Sequence, residues 1–111
     1  MTELERVEIL STYIEMDSIG TPNLVVKLKN NAGQAVDAVT IETYFFNNYD
    51  EPIGKWNSHS AEPFYGIIQK RIESGATYTT QFNLAVYDLA TKAEPATVYS
   101  VHYVDGSSYS L

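Results

Sequence analysis

Asn23-Leu24-Val25-Val26-Lys27-Leu28-Lys29-Asn30 is the stretch that decides the fold. Successive side chains of an extended segment point to opposite sides, so Leu24, Val26 and Leu28 share one face while Lys27 and Lys29 share the other. One face is built for a core and the other for water. Before this stretch, residues 7–14 are dominated by β-branched and aromatic types and read as a first strand, closed by the turn chemistry of Asp17-Ser18-Ile19-Gly20-Thr21-Pro22. After it, Asn30-Asn31-Ala32-Gly33-Gln34 holds Asn and Gly that accept positive φ, and reads as a connection between neighbouring strands.

Further along, residues 36–47 read as one long strand. Val39, Ile41, Thr43 and Phe45 lie on one side, and Thr40, Glu42, Tyr44 and Phe46 on the other. Apolar surface on both faces places such a strand near the middle of a sheet. Asn47-Asn48-Tyr49-Asp50-Glu51-Pro52 is the next turn, residues 53–56 a short edge strand, 57–63 an irregular polar segment, and 64–72 extended again. In 77–84, Tyr78, Thr80, Phe82 and Leu84 alternate as one strand face, whereas 85–93 suits a short helical turn or bent crossover that Pro95 prevents from lengthening. At the end, Asp105-Gly106 joins the Val- and Tyr-rich run 97–104 to the strand-like run 107–111 as an antiparallel hairpin. About seven short strands without a long helix predict an all-β, Ig-like antiparallel β-sandwich, with 1–111 as a single domain. Leu24, Leu28, Ile41, Phe82 and Val101 are its expected core.

Composition narrows the function classes. At 44% hydrophobic and 19% charged residues, the chain has enough apolar material to offset the entropy of ordering it. It has no cysteine, which removes disulfides, thiolate metal sites and a thiol nucleophile. The net charge of -7 argues against a nucleic-acid backbone or an anionic membrane surface as partner. Acids concentrate early, where Glu3, Glu5, Glu8, Glu15, Asp17, Asp37, Glu42, Asp50 and Glu51 meet only Arg6, Lys27 and Lys29. No apolar run approaches the length of a bilayer span, and Met1-Thr2-Glu3-Leu4-Glu5 has acids where a signal peptide has bases, so no membrane insertion is expected of this chain.

Few residues offer chemistry. His59 and His102 have no ligand spacing and no evident carboxylate partner, and no serine lies in a nucleophile elbow, so the chain reads as no enzyme, with no cofactor and no metal. Asn47, Asn48, Asp50 and Glu51 supply oxygen atoms without the spacing of an EF-hand loop, and read as a polar turn. The aromatics of the irregular middle, Tyr49, Trp56, Phe64 and Tyr65, are the candidate ligand-binding residues, able to stack on sugar rings or anchor a protein interface unless they close one end of the sandwich.

Three stretches carry a family resemblance: Val25-Val26-Lys27-Leu28-Lys29-Asn30, Tyr44-Phe45-Phe46-Asn47-Asn48-Tyr49-Asp50-Glu51-Pro52-Ile53, and Val98-Tyr99-Ser100-Val101-His102-Tyr103-Val104-Asp105-Gly106. Together the chain resembles the FxLYD-type Ig-like domains of bacterial cell-envelope proteins, with Asn48 standing where that signature has leucine. The resemblance implies a non-enzymatic accessory module outside the cytoplasm, serving as spacer or protein-interaction domain, with a protein or a cell-wall component as partner. The alternatives are a carbohydrate-binding module centred on Trp56 and a structural subunit that pairs through an edge strand.

Overall fold

The computed structural model describes residues 4–111. Its strands are β1 (Val7–Met16), β2 (Pro22–Asn30), β3 (Val36–Thr43), β4 (Phe45–Phe46), β5 (Pro52–Ile53), β6 (Phe64–Ile68), β7 (Thr77–Asn83), β8 (Lys92–Ala93), β9 (Thr97–Tyr103) and β10 (Ser108–Ser110). They form a three-stranded sheet in the order β1-β2-β7, a four-stranded sheet in the order β10-β9-β3-β6, and a small sheet β5-β4-β8. Every strand pairing is antiparallel. The two larger sheets hold the seven strands of an Ig-like sandwich, with the fourth-strand position taken by β6 at the edge of the second sheet. No helix among the described residues is long and apolar enough to cross a membrane.

The alternation of β2 sets the core. Leu24, Val26 and Leu28 are fully buried and share one cluster with Val39 and Ile41 of β3 and Val101 and Tyr103 of β9, so side chains of both sheets meet between the layers. Each such aliphatic side chain contributes about 2 kcal/mol by leaving water. Phe82 of β7 is packed against the cluster, and its ring lies where a Cβ on Gly66 of β6 would meet the ring Cζ at 2.7 Å. That glycine lets the two sheets approach at this edge.

The region after β2 departs from the sequence reading. Residues 30–34 do not connect neighbouring strands, because β2 and β3 lie in different sheets. The crossing is held by Asn30, which is fully buried. Its amide Nδ2 donates to the carbonyls of Gln34 (2.9 Å) and Ile72 (3.0 Å), and its Oδ1 accepts from the Ala32 N–H (2.9 Å). Its backbone pairs with Ala76 and Gly75. A buried amide with every group satisfied joins three segments that no strand ladder joins.

The long strand expected over 36–47 is central, between β9 and β6, but it breaks at Tyr44. The Thr43 hydroxyl donates to the Glu94 carbonyl at 2.6 Å, and the Glu94 and Thr91 N–H groups donate to the carbonyls of Tyr44 and Phe46. These contacts draw β4 toward β8 and out of the β3 ladder. The edge strand expected over 53–56 is confined to Pro52–Ile53, and Lys55–Asn57 forms a 3-10 turn. Extended structure over 64–72 ends at Ile68, with Ile72 returning as an isolated bridge to Val36. The final hairpin is formed as expected, pairing His102 with Ser108 and turning through Gly106 at φ 93°.

Candidate functional site

The four aromatic candidates are not gathered at one place. Phe64 is partly buried, its ring centroid 5.2 Å from Phe45, 5.6 Å from Phe82 and 6.0 Å from Tyr87, so it is committed to packing that closes one end of the sandwich. Tyr49 is 81% exposed at the tip of the β4–β5 turn. Within that turn the Asn47 Oδ1 accepts from the N–H groups of Tyr49 (2.8 Å) and Glu51 (3.1 Å), and the Asn47 Nδ2 donates to Glu51 (3.0 Å). Asp50 pairs with Lys92 at 2.5 Å. Its oxygen atoms thus serve the turn, and among the described residues no group of three or more acids and histidines is placed to hold a metal ion.

Trp56 is 79% exposed and sits at φ 58°, ψ 31°, a left-handed conformation that a bulky residue adopts only under constraint. Asn57, also left-handed, supplies that constraint: its amide donates to Asp88 and its Oδ1 accepts from the Leu89 N–H at 3.2 Å. Next to this turn, Lys55, Pro63, Phe64 and Tyr65 face Val86 and Tyr87 across a cleft of about 360 Å³. Burial raises the Tyr87 phenol above its ordinary pKa.

Tyr65 borders this cleft, but its side chain stands on the outer face of the four-stranded sheet. On β6, Phe64, Gly66 and Ile68 turn toward the interior, which leaves Tyr65 (47% exposed) and Ile67 (61%) outside. Glu42 is opposite Tyr65 on β3 and Thr40 opposite Ile67. From β9, the register shift between Thr40 and Ile41 brings in Tyr99 as an extra residue, and its ring meets that of Tyr65 edge-to-face at 5.0 Å and 65°. Because β3 lies between β6 and β9, this tyrosine pair spans β3 beside Glu42. Glu42 stands opposite Tyr65 in the ladder, and interaction of the phenol with that carboxylate above all raises the Tyr65 pKa, with burial adding to it.

Sequence reasoning missed two elements of this face. Tyr99 becomes visible only through the bulge. Asp37, the carboxylate partner of His102, becomes visible only through the β3–β9 register, which pairs Ala38 with His102. His59 is exposed in the irregular loop.

At the other end of the sandwich a polar cleft of about 290 Å³ includes Gln34, Asp105 and Ser107. Asp105 accepts from the Ser107 hydroxyl (2.6 Å) and N–H (2.9 Å) and from the Gln34 amide (3.0 Å). Led by the Ser107 hydroxyl, these bonds hold its pKa down at about 2. Its lone pairs are used in closing the hairpin.

No family model and no curated protein matches the chain. Among solved structures it is similar to a hypothetical protein from Peptoclostridium difficile 630, with a TM-score of 0.71 at 11% identity, over 96% of this chain and 86% of that one. A likeness at that identity shows the fold, and the fold is an antiparallel β-sandwich.

Proposed function

We propose that the chain is a non-enzymatic, Ig-like interaction module of a bacterial surface or envelope protein, and that it engages a protein partner through the outer face of the β10-β9-β3-β6 sheet. The observation that carries this reading is the exposure of Tyr65 and Ile67 on an edge strand, in one patch with Tyr99, where neither is needed to fill the core. Exposed aromatics beside an aliphatic residue are typical anchors of protein interfaces. The resemblance to FxLYD-type domains supports the same class and the extracytoplasmic setting.

The test is a photo-crosslinking amino acid placed at Ile67 and, in a second variant, at Thr79 on the outer face of β7, with both proteins expressed in the source organism. A discrete adduct from position 67 and none from position 79 is expected. Equal adducts from both positions, or none from 67, contradict the proposal.

The exposure and left-handed backbone of Trp56 favour a second reading, a carbohydrate-binding site at the 55–57 turn. Its indole fluorescence should then change saturably on titration with cell-wall polysaccharide; a flat titration rejects it.

A further inference from the structure

We infer that the Tyr65–Tyr99–Glu42 cluster is a receptor for one arginine side chain of a protein partner, a step that rests on the interaction reading above and gives it a chemistry. Three observations converge on it. First, the cluster combines the parts that recognise a guanidinium: two phenol rings 5.0 Å apart and a carboxylate beside them. A cation is attracted by the face of a ring, and a carboxylate completes a charge-assisted hydrogen bond to the same group.

Second, the strands of this face place no lysine or arginine around the cluster. By strand alternation the outward residues are Ala38, Thr40 and Glu42 of β3, Tyr65 and Ile67 of β6, and Ser100 and His102 of β9. None is Lys or Arg, and the His102 ring is engaged by Asp37. Among the described residues Glu42 has no ion-pair partner. A protein with a net charge of -7 further favours a cationic visitor.

Third, the ring geometry selects against a sugar. Sugar faces pack on flat platforms, whereas Tyr65 and Tyr99 stand 65° apart and present one ring face and one ring edge. A guanidinium fits the corner between them, its plane against one ring and an N–H directed at Glu42. Ile67, one residue pair along the sheet, then takes an aliphatic neighbour of the arginine.

The probe is N-acetyl-leucyl-arginine amide, followed by backbone-amide NMR of the whole domain, with the citrulline and lysine analogues as comparisons. Citrulline keeps the shape of arginine and removes its charge. Saturable shifts are expected at Thr40, Glu42, Ile67 and Ser100 and not at Lys27 or Thr79. Affinity should be lower by about fivefold or more for the citrulline analogue and for the Glu42→Gln variant, and lower for lysine than for arginine. Glu42→Gln keeps the size and the acceptor oxygen of an outward, partly exposed side chain, so the variant remains folded and its loss of binding is interpretable. Two results overturn the inference: no saturable shift on this face, or equal binding of the arginine and citrulline peptides. Neither touches the interaction reading itself, which stands or falls on the crosslinks from positions 67 and 79.

Discussion

The corner around Asn30 and the face around Tyr65 use polar and aromatic side chains in opposite ways. At the corner, polar groups are spent on one another, from the buried Asn30 out to the surface: Asn30 bonds Gln34, Ile72 and Ala32, Gln34 bonds Asp105, and the exposed Asp105 bonds Ser107. On the face, apolar groups are external: Tyr65 and Ile67 stand in solvent and Glu42 is opposed by no lysine or arginine of the neighbouring strands. The outer face of the other sheet sharpens the contrast. There Lys29 sits between Glu8 and Thr77, and Lys27 between Ser11 and Thr79, an ordinary solvated surface. Polar groups spent on one another stabilise a fold. Apolar groups left outside, on a face free of lysine, remain available for something else.

If that division is right, the largest loss of stability comes from the corner. Asn30→Ala removes three hydrogen bonds and takes their side-chain partner from the Gln34 carbonyl and the buried Ala32 N–H, and should cost about 3 kcal/mol in urea unfolding. Next is Gly66→Ala, on the inward side of the very strand that carries Tyr65. Its methyl meets the Phe82 ring, and displacing a ring already packed on Phe64 should cost about 2 kcal/mol, with no change in peptide binding at the outer side.

Acid tests the corner more gently. The folded-state pKa of Asp105, about 2, lies below its ordinary value of 3.8, so its contribution is complete above the ordinary value and is lost as the pH falls from there toward 2. Thermal melts of the parent should therefore decline more steeply through that window than those of Asp105→Asn. Equal slopes would show that the hairpin does not depend on this carboxylate.

Strand periodicity made much of this fold legible, and its limits follow from the same physics. Leu24, Val26 and Leu28 announce a buried face, and Asp105-Gly106 announces a hairpin, because both signals are local. The break at Tyr44 is not local: it depends on the Thr43 hydroxyl finding Glu94 across the fold. The crossing after Asn30 has the same character, since an Asn before a loop looks alike whether it faces water or reaches Ile72. Of the candidate site, Tyr65 is visible as an aromatic of the irregular middle, while Phe64 beside it reads as equivalent and is packed inside. Alternation separates the two only once the inward face of β6 is known. Tyr99 depends on a bulge, which no pattern of period two encodes.

The smallest expected effect is the most direct test of the division between corner and face. The double variant Tyr65→Ser, Ile67→Ser removes most of the apolar surface that the face exposes. Urea unfolding should place its stability within about 1 kcal/mol of the parent with an unchanged m-value, since neither side chain fills the core. A loss of about 3 kcal/mol or more would show that both residues hold the sandwich together, and the face would then be part of the fold's own packing.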